Sequence, residues 1–374
     1  MSLREEFVVL ASAERANISV LCRRFGISRK TGYKWLAREK AGGKPALMDA
    51  SRRPHASPNK TAVSIEAVVV KLRKMHSAWG GRKLRARLLD LGESSVPAAS
   101  TIQAILQRHG LIDPVEANKH CAWQRFEYEA PNDLWQMDFK GHFALTGQSR
   151  CHPLTVLDDH SRFSLTLLAC ANEQTATVKN GLITTFRRYG LPRRILADNG
   201  APWGSSGSEH SYTPLAIWLI RLGVRVLHGR PYHPQTQGKD ERFHRTLQAE
   251  VLQGARFDGL LDCQQKFDHW RDVYNLERPH EALQLKPPAS RYVPSELAFL
   301  ETLPAIEYGP GDQVRKVQSE GWISFRNRDI RLPHAFRGYP VALRATQEDG
   351  RFDVYFCRER IQQIDLNDPV ATGY

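Results

Sequence analysis

Three acidic residues lie where a divalent-metal site would need them, and two of them end or interrupt predicted strands. Asp138 is in the middle of the predicted strand WQMDFKG, between residues expected to be buried. A carboxylate in such a place is costly unless it is paired or bound to metal. Asp198 ends the predicted strand RRILAD and opens into Asn199-Gly200, which places it at the carboxyl edge of a sheet, where α/β sites are normally built.

The third acid, Glu241, lies on a predicted helix in HPQTQGKDERFHRTLQAE. Phe243, Leu247 and Val251 recur every four residues and are expected to form the buried stripe of that helix. Glu241 precedes the stripe by two positions, so it is expected on its flank, leaning over the sheet edge. Its neighbour Asp240 is rotated from it by roughly 100 degrees, and both side chains cannot face the same metal. We therefore assign Glu241 to the site.

A set of three carboxylates predicts a particular chemistry. Hard oxygen ligands suit Mg²⁺ or Mn²⁺, and three of them can hold two ions ~4 Å apart. One ion would activate a water or hydroxyl and the other would stabilise the leaving oxygen. This is the chemistry of phosphodiester cleavage and transfer.

The charge of the chain points to the same kind of substrate. The sequence has 374 residues, with 53 Lys and Arg against 40 Asp and Glu, and the formal net charge is +13. Residues 1–130 hold 23 of the basic and 12 of the acidic residues, so most of the excess is N-terminal. A basic region of this size attracts polyanions through counterion release, which favours nucleic acid as the partner, although a basic surface kept for solubility is the alternative.

Membrane and secreted classes are not expected. No apolar run approaches the ~18 residues of a membrane span, and the first residues carry acidic side chains where a signal peptide needs basic ones. Six cysteines are scattered without a C-x-x-C pair, which fits reduced thiols better than a disulfide framework or a zinc site.

Residues 1–40 are predicted to form a helix-turn-helix DNA-binding domain. Ser19 is expected to cap the short helix VLCRRF, Gly26 to make the tight turn, and Ser28 to cap the helix RKTGYKWLAREK. The start of the second helix is the part that enters a major groove in this motif. The residues expected to contact DNA there are Arg29, Lys30, Thr31, Tyr33 and Lys34.

A linker and a second helical domain follow. Residues 41–60 are rich in Gly, Pro, Ala and Ser and carry Arg52 and Arg53, which are expected to contact DNA, although an inert spacer is equally compatible with this composition. Residues 61–115 are predicted to form a second helix-turn-helix DNA-binding domain.

That second domain is expected to contain a helix that runs to about Met75 and the basic helix RKLRARLLDLG. Ser100 or Thr101 is expected to cap a third helix, TIQAILQRHG. Two helix-turn-helix units on one chain indicate an extended DNA site, since each unit contacts only a few base pairs.

The rest of the chain is predicted to contain an α/β domain followed by an all-β module. Residues 125–300 contain predicted strands, a helix from about 174 to 189, a helix at PLAIWLIRLG and long helices over about 237–254 and 261–276, which together indicate a mixed α/β domain. Residues 305–374 are predicted to form a small β-barrel-like module that binds DNA or a partner. Within it, Glu-Asp-Gly in VALRATQEDGRFDVYF joins two strands.

Several phrases of the sequence resemble one known family. LWQMDFKG, ADNGAPW and HPQTQGKDERFHRTL closely resemble the three signature blocks of bacterial insertion-sequence transposases with a retroviral-integrase-like catalytic core, the DDE group. The likeness extends to LDDHSRF, to NLERPHEALQLKPPASRY, to the helix-turn-helix units and to the C-terminal module. It implies a multidomain fold: N-terminal all-α helix-turn-helix units, a central α/β RNase H-like integrase core and a C-terminal small all-β module.

The resemblance also implies roles for individual residues. It makes Asp138, Asp198 and Glu241 the catalytic, metal-binding triad for two Mg²⁺ or Mn²⁺ ions, and it leaves Asp158 and Asp159 outside the triad in a strand-end turn. The residues it places against DNA beside the metals are Gln235, Lys239 and Arg242. One departure is the spacing of 42 residues between Asp198 and Glu241, which is longer than usual in the family, and we take GSSGSEHSYT at 204–213 as a surface-loop insertion.

The leading hypothesis from the sequence is a transposase. Such an enzyme would bind the terminal inverted repeats of its own element, expose 3′ hydroxyls and join them to target DNA by metal-dependent transesterification. Its expected partners are double-stranded DNA and further copies of itself, as a dimer or tetramer assembled on DNA, and its expected location is the bacterial cytoplasm at the nucleoid. The alternatives are a decayed or domesticated DNA-binding regulator and a metal-dependent nuclease that cuts but never joins.

Overall fold

The computed structural model describes residues 2–49, 60–112, 127–147, 149–198, 200–204, 212–228 and 238–367. These residues divide into two compact units, Met1–Thr61 and Ala62–Tyr374. Arg52, Arg53, Gln235 and most of the predicted loop insertion lie outside the described residues. No helix of the described ranges combines the length and apolar character needed to cross a membrane.

The first unit contains three helices: α1 (Leu3–Ala11), α2 (Ile18–Arg24) and α3 (Arg29–Gly42). The predicted Ser28 cap is confirmed, because its side chain accepts a hydrogen bond from the backbone N–H of Thr31. The predicted Ser19 cap is wrong: α2 begins two residues earlier than expected, where the side chain of Asn17 accepts a hydrogen bond from the N–H of Val20. Gly26 makes the turn between α2 and α3 with φ +63.

The core of this unit is small and aromatic. Phe7 is fully buried, and its ring makes edge contacts with the rings of Phe25 and Trp35. Gly32 is required where α3 approaches this core, because a Cβ at that position would lie 2.7 Å from Cys22 Sγ and 2.8 Å from Phe7 Cζ. The basic start of α3 is thereby held on a rigid three-helix body.

The second unit begins with α4 (Val63–Met75), α5 (Gly81–Asp90) and α6 (Ala99–Arg108), packed around Trp79, Leu84 and Ile102. The three predicted helices are present. The predicted caps of the third helix, Ser100 and Thr101, are wrong, because the helix starts at Ala99 and both residues lie inside its first turn.

A mixed sheet follows, and its strands and helices run in the order predicted for an α/β domain. The strands are β1 (Trp135–Phe139), β2 (Phe143–Ala144), β3 (Arg150–Asp158), β4 (Ser164–Cys170), β5 (Arg194–Ala197) and β6 (Arg225–His228). The helices are α7 (Thr175–Tyr189), α8 (Pro214–Arg221), α9 (Gly238–Leu247) and α10 (Leu260–Asp272). Both α9 and α10 continue into a π-helical turn, Gln248–Leu252 and Val273–Glu277 respectively.

The sheet is covered on both faces. β1 pairs antiparallel with β3 and parallel with β5, while β3 also pairs with β4 and β5 with β6. Alternate residues of a strand face opposite sides, so Val156 packs in the core that contains α7 and α8, whereas Leu157 packs in the core that contains α9 and α10. The centre of the sheet is thus rigid where β1 and β5 end side by side.

The C-terminal module is all-β, as predicted. Its strands are β7 (Gln313–Lys316), β8 (Trp322–Phe325), β9 (Arg328–Arg331), β10 (Pro340–Ala345), β11 (Arg351–Phe356) and β12 (Glu359–Asp365). They form a four-stranded sheet in the order β12-β11-β10-β7 and a β8-β9 hairpin. Glu348, Asp349 and Gly350 lie in the turn between β10 and β11, at the place the sequence predicted.

Candidate active site

Asp138 and Asp198 are brought to the same sheet edge by the pairing of β1 with β5. The two strands are parallel, with Trp135 opposite Ile195 and Gln136 opposite Leu196. Two positions further along each strand direction, Asp138 is level with Asp198, which directly follows β5. Parallel strands carry their carboxyl ends to one edge, so the predicted neighbourhood of these two acids is present.

The Asp138 side chain is 29% exposed, and its Oδ1 accepts a hydrogen bond from the backbone N–H of Phe139 at 2.8 Å. Burial raises the pKa of this carboxyl to about 6, and the nearby charge of Asp198 adds to the increase, against the opposing effect of the Phe139 hydrogen bond. A carboxylate whose ionisation is disfavoured by burial and by a neighbouring negative charge is stabilised by a cation placed beside it. The donor chemistry of this edge therefore fits a divalent metal.

Helix α9 crosses the same face of β1 that carries Gln136 and Asp138. At its start, Lys239 Nζ lies 2.5 Å from Asp159 Oδ1, and that oxygen also accepts from Gln136 Nε2 at 2.7 Å. One turn later, His244 Nε2 is 2.9 Å from Thr155 Oγ1, and His244 Nδ1 is 4.0 Å from Asp138 Oδ2. The contacts of Lys239 and His244 fix how α9 lies over the sheet edge.

Glu241 occupies the exposed flank of α9, as predicted, while Phe243 and Leu247 are buried beneath it. It precedes His244 by three positions and so lies on the same side of the helix, one turn from the histidine next to Asp138. Within the described residues, no three His, Cys, Asp or Glu side chains close into a complete metal cage. The structure thus brings Asp138 and Asp198 to one sheet edge and places Glu241 on the exposed flank of α9.

Asp240 is the residue whose surroundings were least expected. It belongs to the buried face of α9 and is 1% exposed, with neither carboxylate oxygen hydrogen-bonded to the described residues. Burial raises its pKa well above the ordinary value, and the charges of Asp138 and Asp159 raise it further. The sequence predicted only that Asp240 and Glu241 point in different directions; the structure shows that Asp240 lies inside the helix–sheet interface.

His244 lies beside Asp138 and is a residue that the sequence analysis did not single out. Burial lowers its pKa to about 4, with a further contribution from Lys140, so the ring is neutral at pH 7. A neutral imidazole can accept or donate one hydrogen bond on each nitrogen, and it holds Thr155 on one side and faces Asp138 on the other. Its spacing of three from Glu241 within the helix is the signal that would have identified it.

Asp158 and Asp159 lie at the end of β3 and its following turn, as expected, and both are buried and fully engaged. Asp158 accepts hydrogen bonds from the N–H of Asn132 and from the N–H and Oγ of Ser161. Asp159 accepts from the N–H of Tyr128 as well as from Gln136 and Lys239. These two acids anchor the turn and α9.

The residues predicted to contact DNA are distributed over several environments. On α3, the exposed ones are Arg29, Lys30, Tyr33 and Lys34, whereas Thr31 is half-buried and bonded to Ser28. Arg242 is exposed beside Glu241. Lys239 is only 16% exposed and occupied by its ion pair with Asp159.

Comparisons with known families cover most of the chain. The matched segments are 4–55 with a helix-turn-helix domain, 31–106 with a homeodomain-like domain, 128–234 and 222–288 with integrase core domains, and 312–371 with the C-terminal domain of IS481 family transposases. The two integrase core matches together contain Asp138, Asp198 and Glu241.

Among curated proteins, the chain is 26% identical over 238 residues to a protein of insertion element IS476 from Xanthomonas euvesicatoria, which covers 62% of this chain and 65% of that protein. It is 26% identical over 160 residues to a protein of insertion element IS407 from Burkholderia multivorans, which covers 43% of this chain and 55% of that protein. The chain thus spans less than two thirds of the length of these relatives.

Among solved structures, a chain of the simian T-cell lymphotropic virus intasome, solved in complex with the PP2A regulatory subunit B56 gamma, matches with a TM-score of 0.40 and 14% identity. The match covers 79% of this chain and 95% of that one. The family matches and the two curated relatives confirm the predicted resemblance to insertion-sequence transposases with a retroviral-integrase-like core. The predicted fold class is confirmed with it: helix-turn-helix units, an RNase H-like integrase core and a small all-β module.

Proposed function

We propose that this chain, which resembles insertion-sequence transposases in its helix-turn-helix domains, integrase core and C-terminal domain, is a DDE transposase. It would bind the terminal inverted repeats of a mobile element, cut to expose 3′ hydroxyls and join these ends to target DNA. The observation that carries the proposal is the meeting of Asp138 and Asp198 at one sheet edge of an integrase core, beneath the helix that bears Glu241. Its DNA substrate would place the protein at the bacterial nucleoid.

The proposed metal ligands are Asp138, Asp198 and Glu241, and the proposed cofactor is two Mg²⁺ or Mn²⁺ ions. When bound, such ions lower the pKa of a water or hydroxyl nucleophile and stabilise negative charge on the leaving oxygen. Asp138 and Asp198 would share them, and Glu241 would complete the site from α9. The raised pKa of Asp138, which comes first from burial and then from the charge of Asp198, supports this assignment, because bound cations would stabilise the ionised carboxylate.

The reaction would proceed in two steps, each of which replaces one phosphorus–oxygen bond with another. In the first, a water oxygen forms a bond to the phosphorus at the element end, the bond to the 3′ oxygen breaks, and that oxygen takes a proton and leaves as a 3′ hydroxyl. In the second, the 3′ hydroxyl gives up its proton and attacks a target phosphorus, and the target's 3′ oxygen leaves with a proton. Joining exchanges one phosphodiester for another, so it needs no energy source and no covalent link to the protein.

The chain's own side chains would hold these partners in place. His244, neutral and bonded to Thr155, would keep α9 and therefore Glu241 at the correct distance from Asp138. The exposed residues of α3 would read the element end in a major groove, and Arg242 would meet a phosphate beside Glu241. Arg52, Arg53, Gln235 and Lys239 remain predicted DNA contacts, and Lys239 would have to exchange its ion pair with Asp159 to make one.

The proposed domains have the boundaries predicted from the sequence: 1–40 and 61–115 for DNA recognition, 41–60 as a basic linker, 125–300 for catalysis and 305–374 for DNA or partner contacts. Two element ends must be cut and joined together, so we expect a dimer or tetramer assembled on DNA.

The test begins with the DNA that flanks the gene. Short inverted repeats bracketed by a direct duplication would define the ends, and duplexes made from them would be incubated with the wild-type chain and Mg²⁺. The proposal expects strand products longer than the substrate. Cutting without longer products would instead support a nuclease, and binding without cutting a regulator, and either result overturns the transposase assignment.

A further inference from the structure

The second helical domain contacts the catalytic core through an ion pair and an apolar contact. On α5, Arg87 Nη2 lies 2.5 Å from Glu277 Oε2, in the π-helical turn that follows α10. The two side chains are 20% and 39% exposed, so the pair is partly shielded from water. Val273, at the start of the same turn, packs against the apolar core of α4–α6. One short turn of the catalytic core therefore carries both of these contacts.

That π-helical turn is itself fixed to the sheet and to α9. Asn275 is buried, and its side chain accepts a hydrogen bond from the backbone N–H of Ser164 at 2.8 Å and donates one to the carbonyl oxygen of Ser164 at 3.0 Å. Ser164 is the first residue of β4. Tyr274 is also buried, and its ring makes an edge contact with the ring of Phe243 of α9. The turn therefore has a defined position on the core.

Arg278, the residue directly after Glu277, pairs with the helix that carries Glu241. Its Nε lies 2.9 Å from Glu250 Oε1, and both side chains are only 7% exposed. Glu250 belongs to the π-helical turn that continues α9, and its Oε2 accepts a hydrogen bond from Trp270 Nε1 at 2.9 Å. Loss of either member would leave an uncompensated buried charge, so the pair holds the end of this helix firmly.

Two adjacent residues thus join the second helical domain to the helix that carries Glu241. Glu277 pairs with α5, and Arg278 pairs with the continuation of α9. We call these two ion pairs, Arg87–Glu277 and Arg278–Glu250, the junction. The first helix-turn-helix unit, in contrast, belongs to a separate compact body.

We propose that the junction fixes the distance between the DNA bound by the second helical domain and the active site, and thereby selects the phosphodiester bond that is cut. The inference rests on the proposed function, since it needs an element end bound by residues 61–115. Successive phosphates of one strand are spaced by about 3.4 Å along the duplex axis, so a displacement of that size would present a different bond. Arg87 and Glu277 are positioning residues, because they act through the placement of the domain.

The test reverses the charges of the exposed half of the junction. Arg87→Glu and Glu277→Arg each place two like charges side by side, and the double variant restores the ion pair in the opposite order. End-labelled duplexes of the element end are cut with Mg²⁺, and the products are resolved to single nucleotides. The wild type should cut at one position. Each single reversal should spread the cuts over neighbouring positions and lower the rate at the wild-type position by about tenfold to a hundredfold, and the double variant should restore both.

Two comparisons separate positioning from direct DNA contact and from general loss of an ion pair. Glu277→Arg adds positive charge, which does not weaken attraction to DNA, so its effect on the cut position cannot come from a lost phosphate contact. Arg187→Glu is the matched control, because Arg187 Nε lies 2.7 Å from Glu301 Oε1 in an exposed ion pair outside the junction. This control should cut at the wild-type position.

Amide hydrogen exchange tests the junction without any DNA cutting. In Arg87→Glu, the amides of α5 and of the turn Val273–Glu277 should exchange faster than in the wild type, because the domain is held less firmly on the core. The double variant should return to the wild-type exchange rates.

A single, unchanged cut position in both single reversals overturns the proposal, and so does a spread of cuts that the double variant fails to correct. Unchanged hydrogen exchange in Arg87→Glu also overturns it, since the ion pair would then not hold the domain. If the wild-type chain binds the duplex but cuts it nowhere, the proposed function fails, whereas faster exchange in Arg87→Glu with recovery in the double variant still supports the junction.

Discussion

Helix α9 covers two carboxylates that differ in how many hydrogen-bond donors surround them. At its start, Asp159 is 1% exposed and accepts hydrogen bonds from Tyr128, Gln136 and Lys239. One turn later, Asp138 receives one backbone hydrogen bond and faces the charge of Asp198. Both acids lie under one helix, Asp138 on β1 and Asp159 in the turn that follows β3, so their hydrogen-bond donors distinguish them. The satisfied acid stabilises the fold, and the acid with one donor is available to a cation.

Asp240 lies between these two cases in position and in character. It is buried like Asp159 but, among the described residues, lacks hydrogen-bond donors that would offset the desolvation of its carboxylate. Burial and the charges of Asp138 and Asp159 raise the pKa of this carboxyl, which favours its neutral form and makes it a poorer metal ligand than an exposed carboxylate. The comparison therefore predicts three different outcomes for three substitutions under one helix.

The largest effect is expected for Asp159→Ala. It leaves the Lys239 ammonium without its partner inside the interface and frees the N–H of Tyr128. Removing one member of a buried ion pair costs about 3–5 kcal/mol, so the free energy of unfolding in urea should fall by that amount. Asp159→Asn, which keeps an acceptor, should lose less. A loss no greater than that of an exposed substitution would show that this end of α9 is not anchored by Asp159.

Asp138→Asn should increase the free energy of unfolding, whereas Asp159→Ala decreases it. The folded pKa of Asp138 is about 6 and the ordinary value is 3.8, so above pH 6 the folded chain carries a charge that it disfavours. Without metal at pH 7, the substitution should raise the free energy of unfolding by about 3 kcal/mol.

The pH dependence provides the check on Asp138. As the pH falls from 6 to 4, the folded wild-type chain takes up a proton before the unfolded chain does, so the wild type gains stability and the difference from Asp138→Asn disappears. Melting temperatures of both proteins over this range, in buffer with a chelator, measure it. A difference that persists at pH 3.5 contradicts the assignment of the cost to ionisation.

The smallest effect is expected for Asp240→Val. Replacing a buried carboxyl that has no partner with an apolar side chain removes its desolvation cost, and we expect a gain of about 1 kcal/mol in the free energy of unfolding. Metal-dependent cutting and joining should persist. Loss of joining together with an unchanged melting temperature would assign Asp240 a direct part in the reaction.

The strands and helices that carry the site were predictable, because the spacing of apolar residues along the sequence indicates them. The strand at WQMDFKG, the strand that leads to Asp198 and the stripe of Phe243 and Leu247 all follow from local pattern. The caps were less predictable, since Asn17 and Ser19 are both good caps and only the packing of α2 decides between them.

The partners of the site residues could not be predicted, because they come from distant parts of the chain. Lys239 has the sequence context of a DNA contact, yet it pairs with Asp159, which is 80 positions away. Asp240 is charged, so its residue type predicts an exposed side chain. Only its helical spacing from Phe243 and Leu247 indicates that it lies on the buried face. His244 acquires its role only when Thr155 of β3 lies beneath it.

The central claim is that Glu241, and not its neighbour, completes the metal site. The most direct measurement is Mg²⁺-dependent joining of a duplex with an exposed 3′ hydroxyl, compared between Glu241→Gln and Asp240→Asn, with DNA binding measured in parallel. The account predicts that Glu241→Gln binds DNA like the wild type and loses at least about a hundredfold in joining rate, while Asp240→Asn retains both. Substantial joining by Glu241→Gln, or its loss in Asp240→Asn alone, would contradict the account.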